Sequence, residues 1–251
     1  DRARDINALF HDDDVKAIIC LNGGYGSARI LDKLDYDYIV SHPKLVVGFS
    51  DVTALQTALW EKCRLVTANG PLMVTLGGSD AYTAGQFFQG LTADAWQGPL
   101  ALPAGRKLMT VVPGQAEGPI VGGNLTVLTS LVGTPYALDG TGCILVLEDT
   151  GEDAYRIDRM LNQLWQSGLL SRVAAIAYGD FTDCPNDPGD FTTDQVLDYY
   201  AHLAGKPAIK GLPVGHTKDK AFVPYGVKVR LDADREGASL TFIDVCGLRP
   251  L

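Results

Sequence analysis

The clearest structural signal in the chain is the segment Lys44-Leu-Val-Val-Gly-Phe-Ser-Asp-Val-Thr-Ala-Leu-Gln-Thr-Ala-Leu-Trp60. Its apolar run Leu45–Phe49 is rich in β-branched residues, which predicts a strand buried on both faces. A helix is predicted from Asp51 onward, because apolar residues recur at helical spacing at Val52, Leu55 and Leu59. A strand followed at once by a helix is the unit from which parallel α/β sheets are built.

Ser50 lies at the turn between this strand and this helix. A serine in that position projects above the sheet edge, beside the free N–H groups and the positive end of the helix. This is the arrangement of a nucleophile elbow, in which the side chain attacks and the next amide, that of Asp51, binds an oxyanion. The alternative is that Ser50 or Asp51 only caps the helix, since both residue types are favoured there.

A glycine-rich loop, Cys20-Leu-Asn-Gly-Gly-Tyr-Gly-Ser27, follows an earlier apolar run at Val15–Leu21 that is also predicted to be a strand. Such a loop exposes several backbone N–H groups and could bind a phosphate. It lacks both the Gly-x-Gly-x-x-Gly spacing and the Gly-Lys-Ser/Thr ending, so a nucleotide site is only weakly indicated. Its amides could instead supply a second oxyanion donor over Ser50, or its glycines could serve only to form a turn.

Three regions are predicted along the chain. Residues 1–75 form an N-terminal α/β domain that carries Ser50 and begins with a helix, and residues 76–118, with several Gly and Pro, form a linker and an edge segment. Residues 119–251 form a C-terminal β/α domain. Its predicted helices are Asn124–Val132, Ala154–Leu170 and Asp194–Leu203, and its predicted strands are Cys143–Leu147, Val173–Tyr178, Val227–Leu231 and Ser239–Ile243.

Two residues of the C-terminal region are candidates to act with a serine nucleophile. Glu148 ends a buried strand, which is where an α/β site places a carboxylate, and it could orient an imidazole. His216 lies in a loop beside Gly215, after an apolar segment. The alternatives are that Glu148 only supports the N-terminus of the next helix and that His216 is structural. The other histidines lie in polar segments or near a helix end: His11, His42 and His202.

Composition argues against several other classes of protein. Asp and Glu outnumber Lys and Arg by 30 to 21 in the 251 residues, and the basic residues form no run, so a nucleic-acid surface is not expected. The five cysteines include no Cys-x-x-Cys pair, which argues against a disulfide framework or a zinc site and favours a reducing compartment. No apolar stretch reaches the ~20 residues that span a bilayer, and no signal peptide is visible, so we expect a cytoplasmic protein.

The segments described above occur with others in a fixed order: Asn22-Gly-Gly-Tyr-Gly26, Gly48-Phe-Ser-Asp51, Asn69-Gly-Pro71, Gly122-Gly-Asn-Leu125, Gly133-Thr-Pro135, Leu147-Glu-Asp149, Tyr155-Arg-Ile-Asp-Arg-Met-Leu161 and Gly215-His216. In this order they resemble the LD-carboxypeptidases, serine peptidases that include the murein tetrapeptide carboxypeptidases and the microcin-immunity enzymes. Each motif is modest alone, but together they are specific and cover nearly the whole chain.

The resemblance implies a catalytic triad of Ser50 as nucleophile, His216 as general base and acid, and Glu148 as the orienting group. It implies an oxyanion hole formed by the amide of Asp51 and one in the Gly23-Gly24 loop, with no metal or cofactor. It also implies a flavodoxin-like parallel-sheet N-terminal domain, a C-terminal mixed β/α domain and a homodimer. The implied substrate is a murein-derived peptide cut before a C-terminal D-Ala in peptidoglycan recycling, with no nucleic-acid or membrane partner.

Two features of the chain differ from the family pattern. Asn22 stands where the family usually has Arg, and the family's first strand and helix are missing before residue 1, so we expect a truncated N-terminal domain. Two rival functions also remain. One is hydrolysis of a peptide-nucleotide antibiotic by the same triad, and the other is a non-enzymatic nucleotide-binding module that uses the glycine-rich loop.

Overall fold

The computed structural model describes residues 1–93 and 95–243. The strands are β1 (Ala17–Ile19), β2 (Leu45–Gly48), β3 (Thr67–Asn69), β4 (Gly98–Pro99), β5 (Met109–Val112), β6 (Gly114–Asn124), β7 (Ile144–Thr150), β8 (Ala175–Thr182), β9 (Ala208–Lys210), β10 (Val223–Tyr225), β11 (Lys228–Ala233) and β12 (Ala238–Phe242). The α-helices are α1 (Arg2–His11), α2 (Tyr36–Ser41), α3 (Thr53–Cys63), α4 (Met73–Leu76), α5 (Ala81–Thr92), α6 (Leu125–Ser130), α7 (Ala154–Gln166), α8 (Leu169–Arg172) and α9 (Thr193–Ala204), with 3₁₀ helices at Ser27–Lys33 and Ser50–Val52. Within these described residues, the helices are all too short or too polar to cross a membrane.

The first sheet has the strand order β1-β2-β3-β10, in which β1, β2 and β3 are parallel and β10 runs antiparallel to β3. Strand β2 is buried on both faces. Val46 packs in one cluster with Phe10 of α1 and Leu59 of α3, whereas Val47 packs on the other face with Phe87 of α5. This double burial explains why the strand is an unbroken apolar run rather than an alternating one.

The second sheet has the strand order β4-β12-β11-β6-β7-β8-β9-β5. The pairings β6–β7, β7–β8 and β8–β9 are parallel. The pairings β4–β12, β12–β11, β11–β6 and β9–β5 are antiparallel. Central strand β7 again has two buried faces: Leu145 and Leu147 pack with Ile157 of α7, whereas Val146 packs on the opposite face with Val229 of β11. The predicted fold class, a parallel-sheet α/β N-terminal region followed by a mixed β/α region, is confirmed.

The two sheets are joined by the chain between β9 and β10. Strand β9 belongs to the second sheet, and β10 pairs with β3 of the first, with Val223 opposite Asn69. The loop that carries His216 is this connection. A loop held at one end by each sheet fixes its side chains relative to both sheets.

Several elements differ from the sequence prediction. Helix α5 lies inside the stretch 76–118 that was predicted as linker and edge segment, and β4 and β5 from the same stretch form the two edges of the second sheet. The helix predicted over Ala154–Leu170 is interrupted after Gln166, because Gly168 adopts a φ of 80° and starts α8. Strands β3, β6, β9 and β10 were not predicted. The division into 1–75, 76–118 and 119–251 stays a prediction.

The packing of α5 on the first sheet can be tested at Gly90. A Cβ on this helical glycine would lie 2.2 Å from Cδ1 of the buried Phe222 ring. We therefore expect Gly90→Ala to lower the free energy of unfolding by about 1–3 kcal/mol through overpacking. Urea denaturation measures this change.

Gly85 on the same helix is the matched control, because a Cβ there meets nothing within 4 Å. We expect Gly85→Ala to raise the free energy of unfolding by about 0.4–1 kcal/mol, since alanine lowers the entropy of the unfolded chain. Equal effects of the two substitutions would contradict the contact between α5 and Phe222.

Candidate active site

Ser50 occupies a strained turn at the carboxyl end of β2. Its φ is 64°, in the left-handed region that costs a non-glycine residue roughly 1–2 kcal/mol. The preceding Phe49 is extended, and the 3₁₀ turn Ser50–Val52 leads directly into α3. Gly48 makes the turn possible, because a Cβ there would lie 2.9 Å from Cγ1 of Val52. The predicted elbow is therefore present, and strain of this kind tends to collect at functional sites.

Ser50, His216 and Glu148 form one chain of hydrogen bonds. His216 Nε2 lies 3.0 Å from Ser50 Oγ, and His216 Nδ1 lies 2.9 Å from Glu148 Oε2. A carboxylate only accepts hydrogen bonds, so Nδ1 is the nitrogen that donates. Nε2 of a neutral ring is then the acceptor for the Ser50 hydroxyl, which is the arrangement of a general base beside a nucleophile.

Glu148 is fully buried on β7, and its Oε1 has no hydrogen-bond partner among the described residues. Burying a carboxylate is costly unless it is paired, so this side chain depends on His216. Gly215, beside the histidine, has a φ of 130°, and a Cβ there would lie 3.0 Å from Glu148 Oε2. Only glycine lets the loop approach the carboxylate this closely in that conformation.

The loop before His216 is braced by Arg106. Its guanidinium donates to Asp180 Oδ1 at 2.6 Å and to the carbonyls of Gly211 and Leu212 at 2.7 and 2.9 Å. On the other side, the Phe49 ring packs edge-on against the His216 ring, with centroids 5.0 Å apart. The imidazole is therefore held by contacts on several sides.

The glycine-rich loop lies against Ser50. A Cβ on Gly23 would be 3.3 Å from Ser50 Cβ and 3.5 Å from its Oγ. The loop is tied to the elbow by the buried carboxylate of Asp51, whose Oδ2 accepts from Ser27 N at 2.9 Å and Ser27 Oγ at 2.8 Å.

The predicted oxyanion hole uses the amide of Asp51 and one amide of the Gly23-Gly24 loop. Within the described chain, the amides of Asp51 and Gly24 donate to no protein acceptor, whereas the Gly23 amide donates to Asn22 Oδ1 at 2.9 Å. Asn22, the residue that departs from the family pattern, thus engages one of the predicted donors. The amide of Gly24 is the freer of the two in that loop.

Known proteins provide the comparison. A family model described as the LD-carboxypeptidase N-terminal domain matches residues 1–70, and one described as the LD-carboxypeptidase C-terminal domain matches residues 117–231. A Bacillus subtilis (strain 168) protein named probable murein peptide carboxypeptidase is 39% identical over 246 residues, which are 95% of this chain and 75% of that protein. The chain belongs to the LD-carboxypeptidase family.

Other relatives agree with this family. The crystal structure of muramoyltetrapeptide carboxypeptidase from Oxalobacter formigenes is 32% identical, with a TM-score of 0.84 over 98% of this chain and 85% of that one. The Escherichia coli microcin C7 self-immunity protein MccF is 29% identical over 96% of this chain and 78% of its own length. The family resemblance expected from the sequence is confirmed.

The three histidines that were not predicted to be catalytic make other contacts. His11 stacks on Tyr38, as does His42, and His202 Nδ1 lies 2.7 Å from the carbonyl of Asp198. None of the three contacts the triad. Burial raises the pKa of Cys20 and of Cys63 to about 11, so these thiols are protonated near neutral pH. Cys246 lies outside the described residues.

Sequence reasoning missed the carboxylate of Asp51 as an anchor and Arg106 as a brace. Asp51 was considered only for its amide or as a helix cap, and no local signal pairs it with Ser27, 24 residues earlier. A bond between such distant residues becomes visible only in the folded chain.

The anchor can be tested against a matched hydrogen bond in the same protein. Asp149 Oδ2 accepts from Thr126 N at 2.9 Å and Thr126 Oγ1 at 2.8 Å, as Asp51 does from Ser27. We expect Ser27→Ala and Thr126→Ala each to lower the free energy of unfolding by about 1–3 kcal/mol, since each removes a hydrogen bond to a charged group. Only Ser27→Ala should also lower kcat for peptide hydrolysis, by roughly tenfold or more, because misplacing a catalytic group is costly. Equal kcat losses would argue that the Asp51 anchor has no special link to the site.

Proposed function

We propose that this chain is a serine carboxypeptidase that hydrolyses an L,D peptide bond and releases the C-terminal D-Ala of a murein tetrapeptide. The observation that carries the proposal is the hydrogen-bonded chain Ser50–His216–Glu148, with the serine on a strained elbow. The printed names of the B. subtilis relative and of the O. formigenes structure support the substrate class.

In the first half of the proposed reaction, Ser50 Oγ attacks the carbonyl carbon before the D-Ala. Its proton passes to His216 Nε2, which lies 3.0 Å away. The carbonyl oxygen becomes an oxyanion that the amides of Asp51 and of Gly23 or Gly24 stabilise, and one such donor contributes about 3 kcal/mol to lowering the barrier. The C–N bond then breaks, and His216 gives its proton to the departing amine of D-Ala. The product of this half is an ester on Ser50.

In the second half, water attacks the ester and His216 accepts its proton. The C–O bond to Ser50 breaks, and the proton returns to Ser50 Oγ, so the enzyme is restored. Glu148 stays ionised throughout, fixes the ring so that Nδ1 carries the hydrogen, and stabilises the imidazolium that forms in both halves.

The reaction is tested by mass spectrometry of a murein tetrapeptide incubated with the full chain, with Ser50→Ala and with Ser130→Ala. Ser130 is an exposed serine on α6 and serves as the control. We expect loss of one D-Ala with the parent and with Ser130→Ala, and none above background with Ser50→Ala. Cleavage by Ser50→Ala would remove Ser50 from its role, and no cleavage by the parent would defeat the substrate proposal.

Glu148 gives a second test. We expect Glu148→Gln to lower kcat by about 10⁴-fold, because a neutral amide can hold the imidazole in the wrong tautomer, as the equivalent change does in another serine peptidase. Glu152→Gln is the control, since Glu152 follows β7 and pairs with Arg156, whereas Glu148 pairs with His216. A Glu148→Gln enzyme with near-parental kcat would contradict the proposed role.

Experiments of the same kind distinguish the proposed function from two other candidates. The similarity to MccF keeps hydrolysis of a peptide-nucleotide as the second candidate, and cleavage of an aminoacyl nucleotide with no cleavage of the tetrapeptide would favour it. A nucleotide-binding module would leave Ser50 unlabelled by a fluorophosphonate reagent, whereas an activated serine reacts.

We also propose, from the family resemblance, that the protein acts on cell-wall peptides recycled in the cytoplasm and that it forms a homodimer. Sedimentation at twice the mass of one chain would support the dimer. Sedimentation as a single chain at micromolar concentration would contradict it.

A further inference from the structure

A carboxypeptidase must recognise the free carboxylate at the end of its substrate. The surroundings of the triad make that recognition difficult, because Glu148 is itself buried there and the whole chain carries a formal charge of −9. A second carboxylate brought beside Glu148 would be repelled unless a cation faced it. Recognition of the substrate carboxylate therefore requires a cation beside the triad that is not already paired with a carboxylate.

Lys220 follows His216 by four residues and folds back over the same loop. Its Nζ donates to the carbonyl of Thr217 and lies 5.2 Å from the centroid of the Phe49 ring. The same Phe49 ring packs against His216, so the ammonium and the imidazole contact one side chain between them. Phe49 also directly precedes Ser50, so the ammonium and the imidazole both contact the residue before the nucleophile.

The charge of Lys220 has no counter-ion in the described chain. No carboxylate oxygen lies within 4.0 Å of Nζ, although Glu148, Asp180, Asp80 and Asp219 attract it from farther away. Burial outweighs this attraction and lowers the pKa of the Lys220 ammonium below its ordinary value. A half-buried cation that lacks a partner gains more from an arriving carboxylate than an exposed one does.

The other cations of the loops around the triad are either hydrogen-bonded to protein groups or exposed. Arg106 is bonded to Asp180 and to two carbonyls. Lys218 is exposed, and Arg2 donates to the carbonyl of Tyr25 on the exposed part of the glycine-rich loop. Lys220 is therefore the cation best placed to meet a peptide whose scissile carbonyl lies at Ser50.

We propose that Lys220 binds the C-terminal carboxylate of the peptide substrate and so restricts the enzyme to the last bond of the chain. This inference rests on the proposed function, because it assigns the end-recognition site of that same reaction. When the carboxylate binds, the two Nζ hydrogens not donated to Thr217 are the available donors. An amidated peptide end cannot form the ion pair, so selectivity between acid and amide ends reports on this contact.

The test compares two murein tetrapeptides, one ending in D-Ala and one in D-alanine amide. Their dissociation constants are measured by calorimetry on Ser50→Ala and on Ser50→Ala with Lys220→Met, so that no turnover disturbs the binding. We expect Ser50→Ala to bind the acid about 10–100-fold more tightly than the amide, the range of a hydrogen bond between charged groups. Lys220→Met should remove most of that preference while leaving the affinity for the amide unchanged within about threefold.

Two further variants sharpen the result. Lys218→Met removes an exposed cation from the same loop and should keep the preference for the acid, and Lys220→Arg keeps a charge and should retain part of it. If Lys220 only braces the loop through Thr217, acid and amide will lose affinity equally and the proposal is wrong. An unchanged preference in Lys220→Met would also overturn it and would turn attention to Arg2.

Failure of the proposed function would look different. In that case the parent enzyme would not release D-Ala from the tetrapeptide, and Ser50→Ala would bind neither peptide. Hydrolysis by the parent together with loss of acid preference in Lys220→Met alone would support both proposals.

Discussion

The carboxylate of Glu148 is fully buried near the carboxyl end of β7, and it depends on one hydrogen bond to His216. That dependence organises the surrounding structure. A buried charge that loses its partner is destabilising by several kcal/mol, so the fold is most stable when the imidazole stays in place. The glycine at position 215 and the brace from Arg106 both serve this contact, since one removes a Cβ from its path and the other fixes the loop that carries the histidine. Stability and the orientation of the His216 ring are therefore properties of the same bond.

The two sheets contribute different members of the site. Ser50 comes from the first sheet, Glu148 from the second, and His216 from the chain that leaves β9 for β10. Because β10 pairs with β3, the loop that carries His216 is attached to both sheets. A shift of one sheet against the other would therefore change the lengths of the hydrogen bonds from His216 to Glu148 and to Ser50. Such support on rigid elements is what a site with sub-ångström tolerance needs.

The sequence predicted the parts of the fold that have local signals. Strand β2 and its following helix were visible because the strand is buried on both faces and the helix starts with a regular apolar spacing. Helix α5 was missed, because its buried side consists of Thr83, Phe87 and Gly90, which do not form an apolar stripe. Strand β6 was missed because glycines and a proline interrupt its pattern. Glycine is required at position 118, since a Cβ there would lie 2.1 Å from the carbonyl oxygen of Gly142.

For the candidate site, sequence motifs indicated which residues meet but not what holds them. Each of Ser50, Glu148 and His216 could also have had a purely structural role, and only their order within a family pattern favoured the triad. The anchoring hydrogen bonds join residues far apart in the chain. Such bonds produce no periodic pattern in the sequence from which they could be predicted.

Three buried carboxylates around the elbow show how this anchoring works. Asp51 fixes the glycine-rich loop, Glu148 fixes His216, and Asp149 accepts from Asn124 and Thr126 at the start of α6. The backbone of Asn124 in turn donates to Thr53 Oγ1 at the start of α3, the helix that follows Ser50. Each acid accepts hydrogen bonds from a different element, so these elements cannot move apart without leaving a buried charge unpaired. The strain at Ser50 can persist because Asp51 fixes the glycine-rich loop and Glu148 fixes His216 on either side of it.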